Sequence, residues 1–319
     1  MLYPMTFKPI LKKIIWGGSD ICPFKGITPM QEGIGESWEL SHVEGNYSVV
    51  DNGALEGKTL DELIRTYGKQ LLGEKVVEQF GSIFPLLIKF IDARDNLSIQ
   101  VHPDDELAKK RHNSFGKTEM WYVVDCDEGA TLLYGFKHEI TKEEFARRIA
   151  DNTLLEVTNA VPVKKGDVFF IKSGTLHAIG KGILIAEIQQ NSNTTYRIYD
   201  YGRVGKDGKP RELHVNKALD VTKLAPAEQY PETPVEKKDG YDIKLLSKCE
   251  YFTTYRVNVE TKAELDADEN SFNSIIVLEG EPVISGGETV SAKKGESVFI
   301  SAGTGKYTVE GKCTFVLTK

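Results

Sequence analysis

The chain has 319 residues, of which 40% are hydrophobic and 27% charged, with a formal net charge of −7. This length can bury a substantial core, and it suggests two domains or one enlarged by insertions. The acidic balance sets aside nucleic acid and anionic membrane as partners but leaves room for a local cationic pocket taking one small anion, and no apolar run approaches the roughly 20 residues of a membrane span.

The N-terminal stretch MLYPMTFKPILKKIIWGG is broken by proline and lysine, unlike a secretory signal. Further on, KTLDELIRTYGKQLLG puts Leu60, Leu63, Ile64, Tyr67 and Leu71 at helical spacing, which predicts one amphipathic helix beside the cleft. SIFPLLIKFID reads as a strand. HPDDELAKKRH has Pro103 and two aspartates where a helix begins and lysines where it ends, again a helix expected to wall the cleft from water. EMWYVVD and ATLLYGF are strands by composition. TKEEFARRIADN offers Thr141 as N-cap with Glu144 three residues on, the pattern of a capping box. DVFFIKSG and ILIAEIQQ return to strand.

LAPAEQYPETPVEKKDG, residues 224–240, is proline-rich and aperiodic and reads as a linker. It divides a unit at 1–223 from a smaller all-β unit at 241–319, containing FTTYRVNV, NSIIVLEG, ESVFISAG and CTFVLTK. Many short strands with few helices predict a mainly β protein of sandwich or barrel type. Cys22, Cys126, Cys249 and Cys313 lie far apart with no CxxC pair, which fits four reduced thiols in a cytoplasmic protein.

One phrase occurs twice: KKGDVFFIKSGTLHAI from Lys164 and KKGESVFISAGTGKYTV from Lys293. The two share their paired lysines, two glycines, a Phe-Ile pair and a threonine, but Lys306 stands where the first copy has His177. Gly166, Gly174 and His177 resemble the second signature of the cupin superfamily, with Lys172 at its usual proline. The resemblance implies two cupin-like jelly-roll barrels with a few helices inserted around the first. The second is expected to be metal-free, since Phe272 and Lys306 stand near the places of Glu119 and His177.

Partners for His177 exist upstream. Gln100 and His102 are two apart, as are Lys117 and Glu119, and residues i and i+2 of a strand share a face. Gln100, His102, Glu119 and His177 together offer two imidazoles, a carboxylate and an amide oxygen, a set suited to a catalytic divalent metal with an open position.

With these residues assembled, the chain resembles the type I mannose-6-phosphate isomerases of the short bacterial kind. The resemblance runs through FKPILKKIIWGG, GIGESWELS, GKTLDELI, PLLIKFIDARDNLSIQVHPDDELA, GKTEMWYVVD, GDVFFIKSGTLHAIGKGILIAEIQQNSNTTYRIYDYGR and RELHVNKAL. It implies zinc, one ion per chain, on Gln100, His102, Glu119 and His177. It also implies Arg197 as active-site arginine, Ser98 and Lys89 on the phosphate side, and Lys117 and Glu187 in the pocket. Asn193 stands where many relatives have aspartate. The implied reaction interconverts mannose 6-phosphate and fructose 6-phosphate through a cis-enediol(ate), with a sugar phosphate as partner. The proton carrier stays open between Glu187, Lys117 and a zinc-bound water, and the oligomeric state between monomer and dimer. Two rivals are another metal-dependent cupin enzyme, such as an iron dioxygenase, and a non-catalytic sugar-phosphate-binding cupin. Oxygen uptake marks the first, binding without turnover the second.

Overall fold

The computed structural model of the chain describes residues 2–205 and 208–319. The first unit is a sandwich of two antiparallel sheets. One runs in the order Val168–Ile171, Glu119–Cys126, Ile183–Gln190, Leu86–Ala93, Ile10–Gly18, Ile34–Leu40. The facing sheet runs Thr158–Pro162, Thr131–Phe136, His177–Ala178, Ile99–Val101, Tyr196–Tyr199. The second unit pairs an eight-stranded sheet with a four-stranded one that begins at Lys262–Ala267. Each unit is thus two apposed sheets, flattened compared with a closed barrel.

Side-chain alternation explains how the sheets stack. Ile91, Trp121, Val123, Ile183 and Ile185 point into the first sandwich. Their neighbours Ile88, Phe90, Met120, Leu184 and Ile188 point the other way, onto Ile276, Leu278, Phe299 and Val316 of the eight-stranded sheet. That sheet's alternate residues Ile275, Val277, Val298 and Ile300 fill the second sandwich. Both middle sheets are covered on both faces, so their strands read as unbroken apolar runs.

Several expectations meet a different outcome. The stretch read as one helix over Leu60 to Leu71 is two, Leu60–Tyr67 and Lys69–Leu72, followed by Glu74–Phe80. The breaks fall at Gly68 and Gly73, both at positive φ (50° and 101°), which glycine adopts without steric cost. These helices do not wall the cleft; they dock on the second unit. The Leu71 carbonyl accepts the Ala302 N–H (3.1 Å), and the Leu72 carbonyl accepts the Phe272 N–H (3.2 Å). Phe272 accordingly packs between the units, in the cluster that holds Phe84 and Phe299, and not inside the second sandwich.

Two segments cross the boundary drawn at 224–240. Met5–Lys8 pairs with Ser297–Ile300, which puts the N-terminus in the eight-stranded sheet. Val235–Lys238, inside the stretch read as linker, is an edge strand of the same sheet, paired with Tyr241–Lys248. Thr141 caps Lys142–Ala150 by accepting the Glu144 N–H, but the Glu144 carboxylate bonds Arg148 (2.7 Å) and leaves the reciprocal half of the box unmade. The helix after Pro103 is Asp105–His112, capped by Asp104.

Candidate active site

Strand register assembles the site. In the six-stranded sheet Lys89 lies opposite Glu187, Glu187 opposite Trp121, and Gln189 opposite Glu119. Lys89, Glu119 and Glu187 share the inward face with Ile91, Trp121 and Ile185. In the facing sheet Gln100 sits directly opposite His177 on one side and Arg197 on the other. The turn before His177 depends on Gly174 at φ +84°, where a Cβ would meet the Val221 carbonyl oxygen at 2.8 Å. Its N–H donates to the His102 carbonyl (2.9 Å), tying the two histidine segments together. Lys172 points to solvent and pairs with Glu228, so the turn keeps its form without the proline.

His102, Glu119 and His177 converge, with one ligand atom from each lying within 4.8 Å of the others. His102 Nε2 is 3.3 Å from Glu119 Oε1, and His177 Nε2 is 3.7 Å from Glu119 Oε2. Each Nδ1 lies against a backbone carbonyl, that of Thr194 for His102 (2.9 Å) and of Thr175 for His177 (2.8 Å). A carbonyl only accepts, so both Nδ1 atoms carry the proton and both Nε2 lone pairs face Glu119. The Gln100 amide reaches to 3.4 Å from His177 Nε2, and turning it over presents its oxygen to the same point. Glu119 Oε2 is buried without a hydrogen-bond partner, which a buried carboxylate oxygen rarely tolerates. These donors fit a divalent metal ion. No other such group of three occurs among the described residues.

The electrostatics agree. Burial, with Lys117 adding to it, lowers His102 to about 3; burial also lowers His177, so both rings are neutral as ligands require. Burial works against the Glu119 charge, but the Lys117 ammonium outweighs it and holds the carboxyl well below its ordinary value. Lys117 Nζ contacts Glu119 Oε1 and lies 3.2 Å from His102 Nε2. Glu187 goes the other way: burial, then the Glu119 charge, raises it. Its Oε2 accepts from Trp121 Nε1 (2.9 Å), and its Oε1 lies 3.0 Å from Lys89 Nζ without hydrogen-bond geometry. Burial opposes the Lys89 charge, yet Glu187, Glu36 and Glu119 together push it above its ordinary value.

A cavity of about 280 Å³ opens against this cluster, lined by Lys89, Ser98, Gln100, Lys117, Glu187 and Arg197, and by Trp16, Trp38 and Asn193. His102, Glu119 and His177 are buried behind it. Arg197 Nε donates to Ser98 Oγ (3.2 Å) and Nη1 to the Glu212 carbonyl (3.1 Å), while burial and Arg211 lower it. Sequence reasoning missed three residues here. Glu36 lies 3.6 Å from Lys89 Nζ and accepts from Trp38 Nε1 (2.6 Å). Arg211 lines the cavity and forks onto Asp200. Trp121 holds Glu187. All three lie in stretches quoted above: Glu36 two residues before Trp38 in GIGESWELS, Trp121 two after Glu119 in GKTEMWYVVD, and Arg211 at the head of RELHVNKAL. A larger cavity, about 400 Å³, lies between the units around Phe24, Lys165 and Arg256, but it has no converging ligand set.

Fold and site define the class of protein: a cupin-fold enzyme whose buried histidine–carboxylate group has the donor set of a divalent-metal centre. A family model for the type I phosphomannose isomerase catalytic domain matches residues 5–130, and one for the mannose-6-phosphate isomerase cupin domain matches 242–319. Mannose-6-phosphate isomerase ManA of Bacillus subtilis is 40% identical over 97% of this chain and 96% of its own. The Streptococcus mutans mannose-6-phosphate isomerase is 36% identical over 94% and 93%. The crystal structure of a Bacillus subtilis mannose 6-phosphate isomerase superposes with a TM-score of 0.92 at 35% identity, covering 100% of both chains. The chain belongs to the type I mannose-6-phosphate isomerase family.

Proposed function

We propose that the chain interconverts mannose 6-phosphate and fructose 6-phosphate through a cis-enediol(ate), with one zinc ion held by Gln100, His102, Glu119 and His177. The observation that carries this reading is that an orphaned buried carboxylate oxygen and two neutral imidazoles meet just behind a cavity lined by Lys117, Glu187 and Arg197. Bound there, zinc supplies Lewis-acid stabilisation of charge building on the sugar oxygens, worth several kcal/mol.

The chain's own groups do the rest. Glu187 moves the proton between adjacent sugar carbons. Burial raises it toward the range where a carboxylate is an effective base, and Oε1 has no hydrogen bond to give up. Lys117, at the cavity wall, donates to the sugar oxygens. Arg197 keeps its proton and, with Ser98 beside it and Arg211 nearby, holds the phosphate. Lys89 takes a different part from the phosphate-side role expected of it. Its charge is already matched by Glu187 and Glu36, whose carboxylates would repel a phosphate, so it positions Glu187. Asn193 lines the cavity with a side chain that carries no titrating proton.

The test is a coupled assay of purified zinc-loaded protein with mannose 6-phosphate, reading fructose 6-phosphate. Turnover supports the reading; saturable binding of the sugar phosphate without conversion contradicts it.

A further inference from the structure

The second unit supplies no residue to the cavity, yet one of its side chains reaches Asp105, which is itself bonded to the segment that carries Lys117 and Glu119. Tyr251 lies in the turn between Tyr241–Lys248 and Thr253–Val259, a turn closed by the Cys249 N–H on the Phe252 carbonyl (3.0 Å). Its hydroxyl donates to Asp105 Oδ2 at 2.5 Å. The other oxygen of that carboxylate accepts two more bonds, from the Gly116 N–H (2.7 Å) and from Gln190 Nε2 (3.0 Å). Gln190, 2% exposed, then clamps Thr118 from both sides of its backbone. Gln190 Oε1 accepts the Thr118 N–H (2.9 Å), and the Gln190 N–H donates to the Thr118 carbonyl (3.1 Å).

Asp105 is free for this because Asp104, not Asp105, caps the helix Asp105–His112. Thr118 stands between Lys117 and Glu119, at the point where the strand Glu119–Cys126 begins. Strand ends fray unless something holds them. Here the holding group is a continuous chain of hydrogen bonds that starts in the other unit.

We infer that Tyr251 is a positioning residue: through Asp105 and Gln190 it fixes the 116–119 backbone, and so the placement of Lys117 and Glu119 in the site. The kinetic part of this inference rests on the isomerase reading; the backbone part does not. The bonds of the relay run from 2.5 to 3.1 Å, and three parts of the chain meet on one carboxylate. Removing the Tyr251 hydroxyl leaves Asp105 Oδ2 without its donor and loosens Gly116 and Gln190 on the opposite oxygen. Tyr251 also gives the second unit a part in catalysis although its own sandwich is filled by apolar residues such as Val257, Ile275 and Val309.

The experiment compares Tyr251→Phe with Tyr307→Phe in the full-length, zinc-loaded protein. Tyr307→Phe removes a buried bond in which the hydroxyl accepts from Asn273 Nδ2 (2.9 Å), inside the second sandwich and away from the relay. Hydrogen exchange of the 116–119 backbone is expected to accelerate in Tyr251→Phe and to match the parent in Tyr307→Phe. A misplacement of order 1 Å can cost up to about 100-fold, so kcat for mannose 6-phosphate is expected to fall roughly tenfold in Tyr251→Phe, with KM within about twofold. Tyr307→Phe keeps kcat within about twofold. Unchanged exchange at 116–119 in Tyr251→Phe overturns the relay, and faster exchange with kcat intact overturns its part in catalysis. If the parent itself does not convert mannose 6-phosphate, the isomerase reading falls, and the exchange comparison alone decides for or against the relay.

Discussion

Lys89 and Glu187 face each other on adjacent strands, Nζ 3.0 Å from Oε1, with both side chains more than nine-tenths buried. Burial raises the Glu187 carboxyl and Lys89 pulls it back down. Lys89→Met removes the opposing cation, so the carboxyl must rise further. A base works only when ionised, so the acid limb of the kcat/KM profile should move to higher pH in the variant. A profile with its acid limb unmoved would show that Glu187 is not the group being read.

Glu187→Gln keeps the shape of the side chain and still offers an oxygen to Trp121 Nε1. It cannot take a proton. General-base contributions run to roughly 10²–10⁴-fold, and kcat is expected to fall by about that much. Bound zinc, measured by elemental analysis, should match the parent, because Glu187 is outside the proposed ligand set. Loss of zinc together with activity would reassign the residue to holding the metal.

The proposed reading gives the phosphate to Arg197 and Ser98. Arg197→Ala should lower kcat/KM for mannose 6-phosphate by about 100-fold and weaken inhibition by inorganic phosphate in parallel, as expected when a charge-assisted fork is removed. Ser98→Ala, which takes away one neutral contact to Arg197 Nε, should cost only about tenfold or less. Phosphate inhibition unchanged in Arg197→Ala would place the phosphate elsewhere.

The strands were legible because two of the sheets are covered on both faces, which turns LLIKFIDA and ILIAEIQQ into apolar runs no other element explains. The ligand pairs were legible because strand period is two: Gln100 with His102, and Lys117 with Glu119. Register was not. Nothing in the spacing says that Gln100 lies between His177 and Arg197, or that Trp38 lies opposite Lys89 and so brings Glu36 two residues away. Arg211 comes from a segment without period, and its place is set by Asp200. The periodicity of Leu60 to Leu71 gave an apolar face correctly but not what it faces, and the glycines that split it mark where it docks on Phe272 and Ala302. Sequence patterns report burial well and the partner of burial poorly.

Asp92 offers a check outside the active site. Burial raises its carboxyl from 3.8 to about 6, with the nearby Asp20 charge adding to the rise and the Asp20 N–H (2.7 Å to Oδ2) opposing it. The folded protein therefore keeps this proton where the unfolded chain has lost it. The stabilisation is complete below about pH 4 and is lost as pH rises through about 6. Asp92→Asn has no charge to bury, so its stability relative to the parent should climb between pH 4 and pH 7 and level off above. Denaturant midpoints across that range test this, and a pH-independent difference would contradict it.

The central claim is that His102, Glu119 and His177, with Gln100, hold a metal ion that the isomerisation needs. The direct measurement strips the protein with a chelator, restores zinc, and follows bound zinc and conversion of mannose 6-phosphate together, with His177→Ala alongside. The expected result is activity that disappears on stripping, returns in the parent as about one zinc per chain binds, and stays negligible in the variant. Full activity in the stripped protein, or equal recovery in His177→Ala, would contradict the account.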